Sequence, residues 1–181
     1  YRLGIFVDQA LRRLGVVPDL VAGHSVGEWA GTVAAGIVPT ERASDLVAAQ
    51  ELDTIDLPDV DFAALAAGVE TVGPIVADIP TVVISHDNAP NQSIVCGLPD
   101  QIAVALARLR ESNILGYTLP FQSGFHTPAI ASALETMRDQ AELLPFGPAT
   151  IPMWSATIVG PYPATRPELI DLHMRHLVEP V

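Results

Sequence analysis

The chain has 181 residues, of which 49% are hydrophobic and 17% are charged, a composition that predicts one globular domain of moderate size with a small inserted subdomain. Its 21 acidic residues outnumber 9 basic residues, all of them arginine, and the net charge is −12. This charge argues against broad binding to nucleic acid or to an anionic membrane, because both require a positively charged face. No apolar stretch approaches the roughly 20 residues that span a bilayer, so no membrane association is expected.

The single cysteine, Cys96, lies in the apolar run 93–97 and can form no disulfide within the chain. A chain without disulfides fits a reducing compartment, and we expect a cytoplasmic protein. The apolar neighbours of Cys96 predict a buried strand thiol. We expect no metal ion and no bound cofactor. The absence of lysine and the abundance of alanine and valine are typical of a GC-rich bacterial coding sequence.

The first sixty residues alternate between helical and strand patterns. Apolar residues recur at helical spacing over 5–14, and residues 16–23 indicate a turn followed by a short buried strand. A sharp turn at 24–28 leads into a helix of small residues over 29–35. Another helix follows at 40–50, with Thr40 as its N-cap. This succession predicts an α/β core.

Between positions 61 and 119 the pattern becomes that of a small α+β unit. The run 62–68 is ambiguous between helix and strand in isolation, and two β-rich runs flank the turn-forming cluster 87–91. The other predicted elements are a helix at 72–78, strands at 81–85 and 92–96, a helix at 99–111 and a strand at 117–119. The order β-α-β-β-α-β is the split βαβ, ferredoxin-like arrangement, which we interpret as an insertion.

After the insertion the pattern of the core resumes. A helix is predicted over 128–144, a strand over 150–155 and a final helix over 167–177. We therefore predict an α/β fold with a hydrolase-like parallel-sheet core and an inserted ferredoxin-like α+β subdomain. The predicted division is 1–60 for the first part of the core, 61–119 for the subdomain and 120–181 for the return to the core.

The motif G-H-S-V-G at 23–27 matches G-x-S-x-G, the nucleophile elbow. In such an elbow a strand turns abruptly into a helix, so the serine stands exposed at the corner while the glycines avoid steric clashes. The helix directs its first N–H groups, notably that of Val26, to the place where an oxyanion would develop. A glycine-rich turn with a capping serine would show the same sequence pattern and is the competing interpretation. The strand before the motif and the helix after it favour the elbow, with Ser25 as nucleophile.

A serine hydroxyl becomes a good nucleophile when a base removes its proton, and the chain has five histidines. His24 adjoins the serine and is expected to line the pocket. His86 lies in the turn-rich part of the subdomain, and His173 and His176 are predicted to lie on the surface of the last helix. His126 lies between a strand end and a helix start, a kind of junction at which catalytic side chains concentrate, and it is the favoured base.

The run 11–30, with the signature G-H-S-x-G-E at 23–28, strongly resembles the acyl-carrier-protein acyltransferase family. That family includes malonyl-CoA:ACP transacylases and the acyltransferase domains of polyketide synthases. The run S-G-F-H at 123–126 is similar to the second family motif, which ends in the catalytic histidine. Residues 87–92 resemble the asparagine-containing loop of the family's ferredoxin-like subdomain. The resemblance covers essentially the whole chain and pairs two motifs across the insertion.

The resemblance implies that Ser25 is the nucleophile and His126 the general base. It also implies that the Val26 N–H helps to hold the oxyanion and that Asn88 lies near the site. The implied reaction is ping-pong transfer of an acyl group from acyl-CoA, through an acyl-serine, to the phosphopantetheine thiol of an acyl carrier protein in polyketide or fatty-acid biosynthesis. Acyl-CoA is then the substrate, and an acyl carrier protein and neighbouring synthase domains are the expected partners.

The sequence departs from the family pattern at both ends. The glutamine-containing loop that completes the family's oxyanion hole would precede Tyr1. The residue whose carbonyl orients the histidine would come at about the position of Val181, where the chain stops. We therefore expect this chain to be a fragment of a longer polypeptide.

A third departure concerns the acyl group. Family members that transfer dicarboxylic acyl groups grip the free carboxylate with an arginine, whose planar fork pairs with it through two hydrogen bonds. That position falls on Gln50, which resembles starter-unit enzymes that load uncharged acyl groups. Phe125, in contrast, is the malonyl-type residue before the histidine. A register shift between positions 48 and 57 would reconcile the two, and malonyl is the favoured acyl group. His24, Gln50, Asn88 and Phe125 are the predicted substrate-binding residues.

Two other interpretations compete with the transferase. A serine thioesterase or related hydrolase shares G-x-S-x-G but needs an acid between Ser25 and His126 in chain order, for which Asp87 or Asp100 is available. The intervening stretch, however, lacks the repeated strand–helix units of a doubly wound sheet. A degenerate acyltransferase kept as a docking module would also fit the truncated ends, although both key residues are intact.

Overall fold

The computed structural model describes residues 1–48, 59–121 and 123–181. The chain divides into two compact units, the first within Tyr1–Thr54 and Leu134–His176 and the second within Ile55–Ala133 and Leu177–Val181. The second unit thus contains the whole predicted subdomain and also takes in residues 120–133. Within the described ranges, no helix is both long enough and apolar enough to cross a membrane.

Helices and strands are interspersed along the described chain, as the sequence predicts for an α/β protein. In chain order the elements are α1 (Arg2–Arg13), β1 (Val21–Ala22), α2 (Val26–Ala34), α3 (Ala43–Ala48), β2 (Asp61–Leu65), α4 (Val69–Val76), β3 (Val83–Ala89), β4 (Gln92–Gly97), α5 (Pro99–Glu111), β5 (Gly116–Thr118), α6 (Leu134–Ala141), β6 (Met153–Ser155), β7 (Gly160–Pro161) and α7 (Arg166–Val178). Short 3-10 turns at Thr40–Arg42 and Pro128–Ala133 precede α3 and α6. The predicted helix over 128–144 is therefore broken into a 3-10 turn and a shorter α-helix.

A small sheet in the first unit joins segments that are far apart in the chain. Its strand order is β1-β6-β7. Strands β1 and β6 are parallel, with Val21 opposite Met153, and β7 pairs with β6 in the antiparallel direction. Helix α2 packs closely on this sheet, because a Cβ on Gly31 would lie 2.7 Å from Met153 Cε. The parallel pairing brings the loop after β6 beneath the start of α2, with consequences for the site described below.

The last helix contributes its buried face to the first unit. Leu169 and Leu172 are buried on α7, and so are His173 and His176. The predicted surface position of the two histidines is therefore wrong. The ring of His173 lies 6.1 Å from that of Trp29 and 5.6 Å from that of Phe146, measured between centroids. The two histidines lie on the same helical face as the buried leucines. The 3.6-residue period of the helix therefore indicated that they are buried.

The second unit contains a four-stranded antiparallel sheet of order β3-β4-β2-β5. The chain order β2-α4-β3-β4-α5-β5 is the predicted β-α-β-β-α-β order. Side chains alternate along β2, as the period of a strand requires. Ala63 and Leu65 join a core with Val72 of α4 and Leu109 of α5, whereas Phe62 faces the other side of the sheet.

Strand β3 is longer than the sequence predicts. Asp87, Asn88 and Ala89 belong to the strand, so the predicted turn at 87–91 shrinks to the two residues between β3 and β4. A distant partner stabilises the extension: the Val181 N–H donates to Ser85 O at 3.1 Å, and the Asp87 N–H donates to Val181 O at 2.7 Å. Turn propensity is local and carries no information about a pairing with the last residue of the chain.

The corner between β1 and α2 depends on the lack of a side chain at Gly23. A Cβ there would lie 2.3 Å from both C and O of Gly27, and these backbone atoms cannot move aside. A Cβ on Gly27, in contrast, would have no heavy atom within 4 Å. The two glycines of the elbow therefore have different roles.

We predict that Gly23→Ala lowers the free energy of unfolding by roughly 3 kcal/mol or more, because the added methyl group collides with fixed backbone. Gly27→Ala is the matched control and should be neutral or stabilising by up to about 1 kcal/mol, since alanine is the better helix former. Urea unfolding followed by circular dichroism compares the two variants. Equal stability of Gly23→Ala and the wild type would contradict the steric account.

Buried His173 should make the protein sensitive to acid. Burial, with a smaller effect of His176, lowers the pKa of His173 from 6.5 to about 3. Between about pH 6.5 and pH 3 the unfolded chain binds a proton at His173 that the folded chain does not. The contribution of neutral His173 to the free energy of unfolding is therefore complete above about pH 6.5 and falls as the pH decreases below that value. The loss from this histidine approaches about 1.4 kcal/mol per pH unit.

Urea titrations at several pH values between 7 and 4 test this expectation. His173→Leu should unfold with a shallower dependence on pH than the wild type, by about 1.4 kcal/mol per pH unit. If the variant and the wild type lose stability in parallel over this range, His173 is protonated equally in both states and the expectation is wrong.

Candidate active site

Ser25 stands at the corner between β1 and α2, as the elbow motif predicts. Its backbone adopts φ 54° and ψ −125°, a left-handed conformation that costs a non-glycine residue on the order of 1–3 kcal/mol. The Gly27 N–H donates to His24 O at 2.9 Å, and the Glu28 N–H donates to Ser25 O at 2.8 Å. These two bonds close the first turn of α2 behind a half-buried serine.

The residues on either side of Ser25 are open to solvent. His24 is exposed, and Val26 has 48% of its surface exposed. Val26 is the first residue of α2, and no intrahelical carbonyl can reach an N–H at that position. The helix dipole adds to the preference of this N–H for a negative charge. Val26 therefore presents its N–H at the first position of α2, next to Ser25, and its role as oxyanion donor stays a prediction.

Beneath the elbow lies Glu28, whose side chain is completely buried. Three donors satisfy its carboxylate: the Ala156 N–H at 2.6 Å, the Ser155 hydroxyl at 3.2 Å and the Tyr162 hydroxyl. Burial and the charge of Glu28 raise the pKa of Tyr162 well above its usual value of 10. Three hydrogen bonds of this kind are what a buried carboxylate requires.

His176 contacts the elbow from α7. Its Nε2 lies 3.1 Å from Ser25 O, and its Nδ1 lies 2.8 Å from the Thr157 hydroxyl. A carbonyl can only accept, so Nε2 carries the proton, and the neutral ring then accepts the Thr157 hydroxyl proton at Nδ1. Burial lowers the pKa of His176 to about 4, against the opposing effect of its bond to Ser25. The 3.6 Å approach of Nδ1 to Glu28 Oε2 is therefore not an ion pair.

The bonds of Glu28 and His176 form a closed ring that begins and ends at one carbonyl. From Ser25 O the ring runs through the Nε2–H of His176 to Thr157, whose N–H donates to the Ser155 hydroxyl oxygen at 3.1 Å. Ser155 donates to the carboxylate of Glu28, and the Glu28 N–H returns to Ser25 O. The buried face of the last helix was the only sequence signal for His176. Glu28 was already marked as the last residue of the signature G-H-S-x-G-E, although no role was predicted for it from the sequence.

His126, the predicted base, belongs to the second unit, and its backbone is also unusual. It is 4% exposed and has φ 61°. Its N–H donates to Leu177 O at 2.7 Å. On its C-terminal side the Thr127 hydroxyl donates to Gly124 O at 2.6 Å and accepts from the Ala129 N–H at 3.2 Å. These bonds on both sides of His126 fix its backbone.

The imidazole of His126 is packed by a second imidazole. The rings of His86 and His126 meet edge to face with centroids 5.0 Å apart, an arrangement that favours one ring orientation. His86 Nδ1 lies 2.9 Å from the Ser85 hydroxyl, which donates to Ile94 O. The sequence placed His86 in a turn, whereas it lies within β3 and beside the candidate base.

The remaining predicted site residues are less closely defined. Phe125 is half-buried next to His126, and Asn88 is exposed on β3. The position predicted for acyl-group recognition, Gln50, lies outside the described residues. Cys96 is 1% exposed on β4, which confirms the predicted buried thiol. Burial raises the pKa of Cys96 to about 12, so it remains protonated and is a poor nucleophile.

A family model described as "Acyl transferase domain" matches residues 7–181. Over 155 residues the chain is 34% identical to a phenolphthiocerol/phthiocerol polyketide synthase of Mycobacterium tuberculosis, covering 81% of this chain and 10% of that protein. It is 31% identical over 145 residues to the non-reducing polyketide synthase tpeB of Talaromyces stipitatus, covering 78% of this chain and 7% of that protein. The chain therefore spans a tenth or less of the length of these curated relatives.

Similarity extends to a solved structure. The acyltransferase domain of phenolphthiocerol/phthiocerol synthase A from Mycobacterium bovis (BCG) superposes with a TM-score of 0.85 at 25% identity. The match covers 98% of this chain and 68% of that one. Sequence and fold agree, and the chain belongs to the acyl transferase domain family.

Proposed function

We propose that this protein is an acyltransferase that carries an acyl group on Ser25 between acyl-CoA and the phosphopantetheine thiol of an acyl carrier protein. The observation that carries the proposal is the strained serine at the start of α2, with the Val26 N–H beside it. A positive φ at a serine is expensive, and it gives the hydroxyl an exposed corner next to a donor for an oxyanion. Membership of the acyl transferase domain family supports the same reaction class.

The first half of the reaction loads the serine. His126 accepts the proton of the Ser25 hydroxyl as the oxygen attacks the thioester carbonyl carbon. The carbonyl oxygen becomes an oxyanion, which the Val26 N–H stabilises. The carbon–sulfur bond then breaks, and the CoA thiolate leaves with the proton that His126 holds. The products of this half are acyl-Ser25 and free CoA.

The second half unloads the serine by the same chemistry. His126 takes the proton of the carrier's phosphopantetheine thiol, and the thiolate attacks the ester carbonyl. The ester carbon–oxygen bond breaks, and Ser25 recovers the proton from His126. Each half exchanges one acyl bond and returns the proton it borrowed, so the atoms and electrons of the cycle balance.

The assignment of His126 as the base rests on the family resemblance and is supported by its surroundings in the second unit. The backbone bond to Leu177 and the edge-on ring of His86 restrict the imidazole to few orientations. A general base must be held in place to be efficient, since proton transfer requires hydrogen-bond distance to the reacting group.

The parent fold and the partners are part of the proposal. The parallel β1–β6 pair supports a hydrolase-like sheet for the first unit, and the strand order of the second unit supports a ferredoxin-like subdomain. The relatives named above are polyketide synthases, so we propose an acyl carrier protein and neighbouring synthase domains as partners.

We propose malonyl as the acyl group. Phe125 precedes the base and is the malonyl-type residue in the family pattern, because its ring closes the space that a methyl branch would need. Gln50 argues for an uncharged group, but it lies outside the described residues. The acyl group is therefore best decided by offering the protein both kinds of substrate.

Intact-protein mass spectrometry tests the covalent step. After brief incubation with malonyl-CoA and acetyl-CoA at equal concentration, the wild type should gain one acyl group, and the malonyl adduct should predominate. Ser25→Ala should gain none, because the nucleophile is absent. His126→Ala should acquire the group slower by about 100-fold or more, as expected when a general base is removed.

Ser112→Ala is the matched control, since Ser112 is exposed after α5 and its loss should leave labelling unchanged. Addition of a phosphopantetheinylated acyl carrier protein should discharge the adduct to the carrier. Persistent labelling of Ser25→Ala would overturn the nucleophile, and release of free acid instead of acyl-carrier would assign a hydrolase. A predominant acetyl adduct would overturn the malonyl proposal alone.

A further inference from the structure

The Ser25 carbonyl receives two hydrogen bonds from opposite parts of the first unit. The Glu28 N–H donates from α2 at 2.8 Å, and the His176 Nε2–H donates from α7 at 3.1 Å. The first bond is ordinary at the start of a helix. The second is not required by any helix, and it comes from a histidine that is 2% exposed.

This carbonyl shares a peptide unit with the Val26 N–H. The peptide group is planar and trans, so its C=O and N–H point in opposite directions. Fixing the Ser25 oxygen therefore fixes the direction of the Val26 N–H. A hydrogen bond to a carbonyl also polarises the amide and strengthens its N–H as a donor. Both effects act on the donor that the proposed reaction needs.

We propose that His176 is a positioning residue that orients the Val26 N–H as an oxyanion donor through its bond to the Ser25 carbonyl. The inference rests on the proposed function, since it assigns a task to that N–H. His176 touches neither the acyl group nor the Ser25 hydroxyl in this role. It acts on the reaction only by orienting the peptide group between Ser25 and Val26.

The surrounding network keeps His176 suited to this task. Thr157 occupies Nδ1 as a hydrogen-bond donor, which leaves the ring proton on Nε2, facing the carbonyl. The Thr157 N–H donates to the Ser155 hydroxyl oxygen, and the Ser155 hydroxyl donates to the Glu28 carboxylate. The tautomer is thus set by neighbours that α2 and the loop after β6 supply.

A purely structural role for His176 would consist of filling space on the buried face of α7. His173 fills such space one turn earlier, where its ring contacts those of Trp29 and Phe146. It therefore provides a control on the same helix and of the same residue type. If His176 has a positioning role, substitutions of His173 and His176 that lower thermal stability equally should differ in their effect on the acylation rate.

Single-turnover acylation by malonyl-CoA, measured over a range of substrate concentrations, separates the rate of acylation from binding. His176→Leu should reduce the maximal rate by about 10- to 100-fold with little change in the half-saturating concentration, as expected for a donor that acts mainly in the transition state. His176→Gln offers an N–H toward the same carbonyl and should restore the rate to within about fivefold of the wild type. His173→Leu should keep the wild-type rate below its own melting temperature.

Thr157→Val keeps the shape of the network if His176→Leu fails to fold. It removes the hydroxyl that sets the tautomer, and it should lower the acylation rate without changing half-saturation. The proposal is overturned if folded His176→Leu or Thr157→Val reacts at the wild-type rate. It is also overturned if His176→Leu and His173→Leu lose rate only in proportion to lost thermal stability.

A biotinylated fluorophosphonate separates this inference from the proposed function. The reagent needs an activated serine and an oxyanion donor but no acyl-CoA. If the wild type reacts with the phosphonate and never with acyl-CoA, the transferase proposal fails, while the ranking of His176 variants by labelling rate still tests the positioning role. Slower labelling of His176→Leu with recovery in His176→Gln supports it, and equal labelling of all variants overturns it.

Discussion

The hydrogen bonds to the Ser25 carbonyl are the interactions on which the site depends. Ser25 must remain at φ 54°, a conformation that an isolated chain would leave at a gain of on the order of 1–3 kcal/mol. Two donors on the carbonyl, together with the open space that Gly23 provides, hold the strained corner. The parallel β1–β6 pairing places the loop after β6 next to α2, so the fold of the first unit and the geometry of its serine have a common origin.

Burial of a carboxylate is unfavourable, and in Glu28 hydrogen bonds offset the loss of hydration. Each of its hydrogen bonds comes from a segment between Ser155 and Tyr162 that is distant in sequence. In some proteins a fully satisfied polar network is less stable than a well-packed apolar core, and in some it specifies a single arrangement. In the proposed reaction that specificity would matter, because a misdirected Val26 N–H would be a poor oxyanion donor.

Much of this site could be predicted from sequence where the physical requirement is local. The elbow was predictable because only glycine tolerates the approach at position 23. The order of helices and strands in the second unit was predictable because strand and helix periods are visible in short windows. The length of β3 was mispredicted because it depends on a partner far along the chain, Val181. The burial of His173 and His176 was mispredicted for a different reason, because residue type was given more weight than the helical period. The polar residue type suggested that His173 and His176 lie on the surface, whereas the helical period indicated that they are buried.

The central claim is that Ser25 bears the acyl group and that the Val26 N–H faces the developing oxyanion. A crystal structure of the phosphonate adduct tests both parts at once, because the adduct mimics the tetrahedral intermediate. We expect the phosphorus to be bonded to Ser25 Oγ, with a phosphonyl oxygen about 2.7–3.1 Å from Val26 N. An adduct on a different residue, or a phosphonyl oxygen directed away from Val26 N, would contradict the claim.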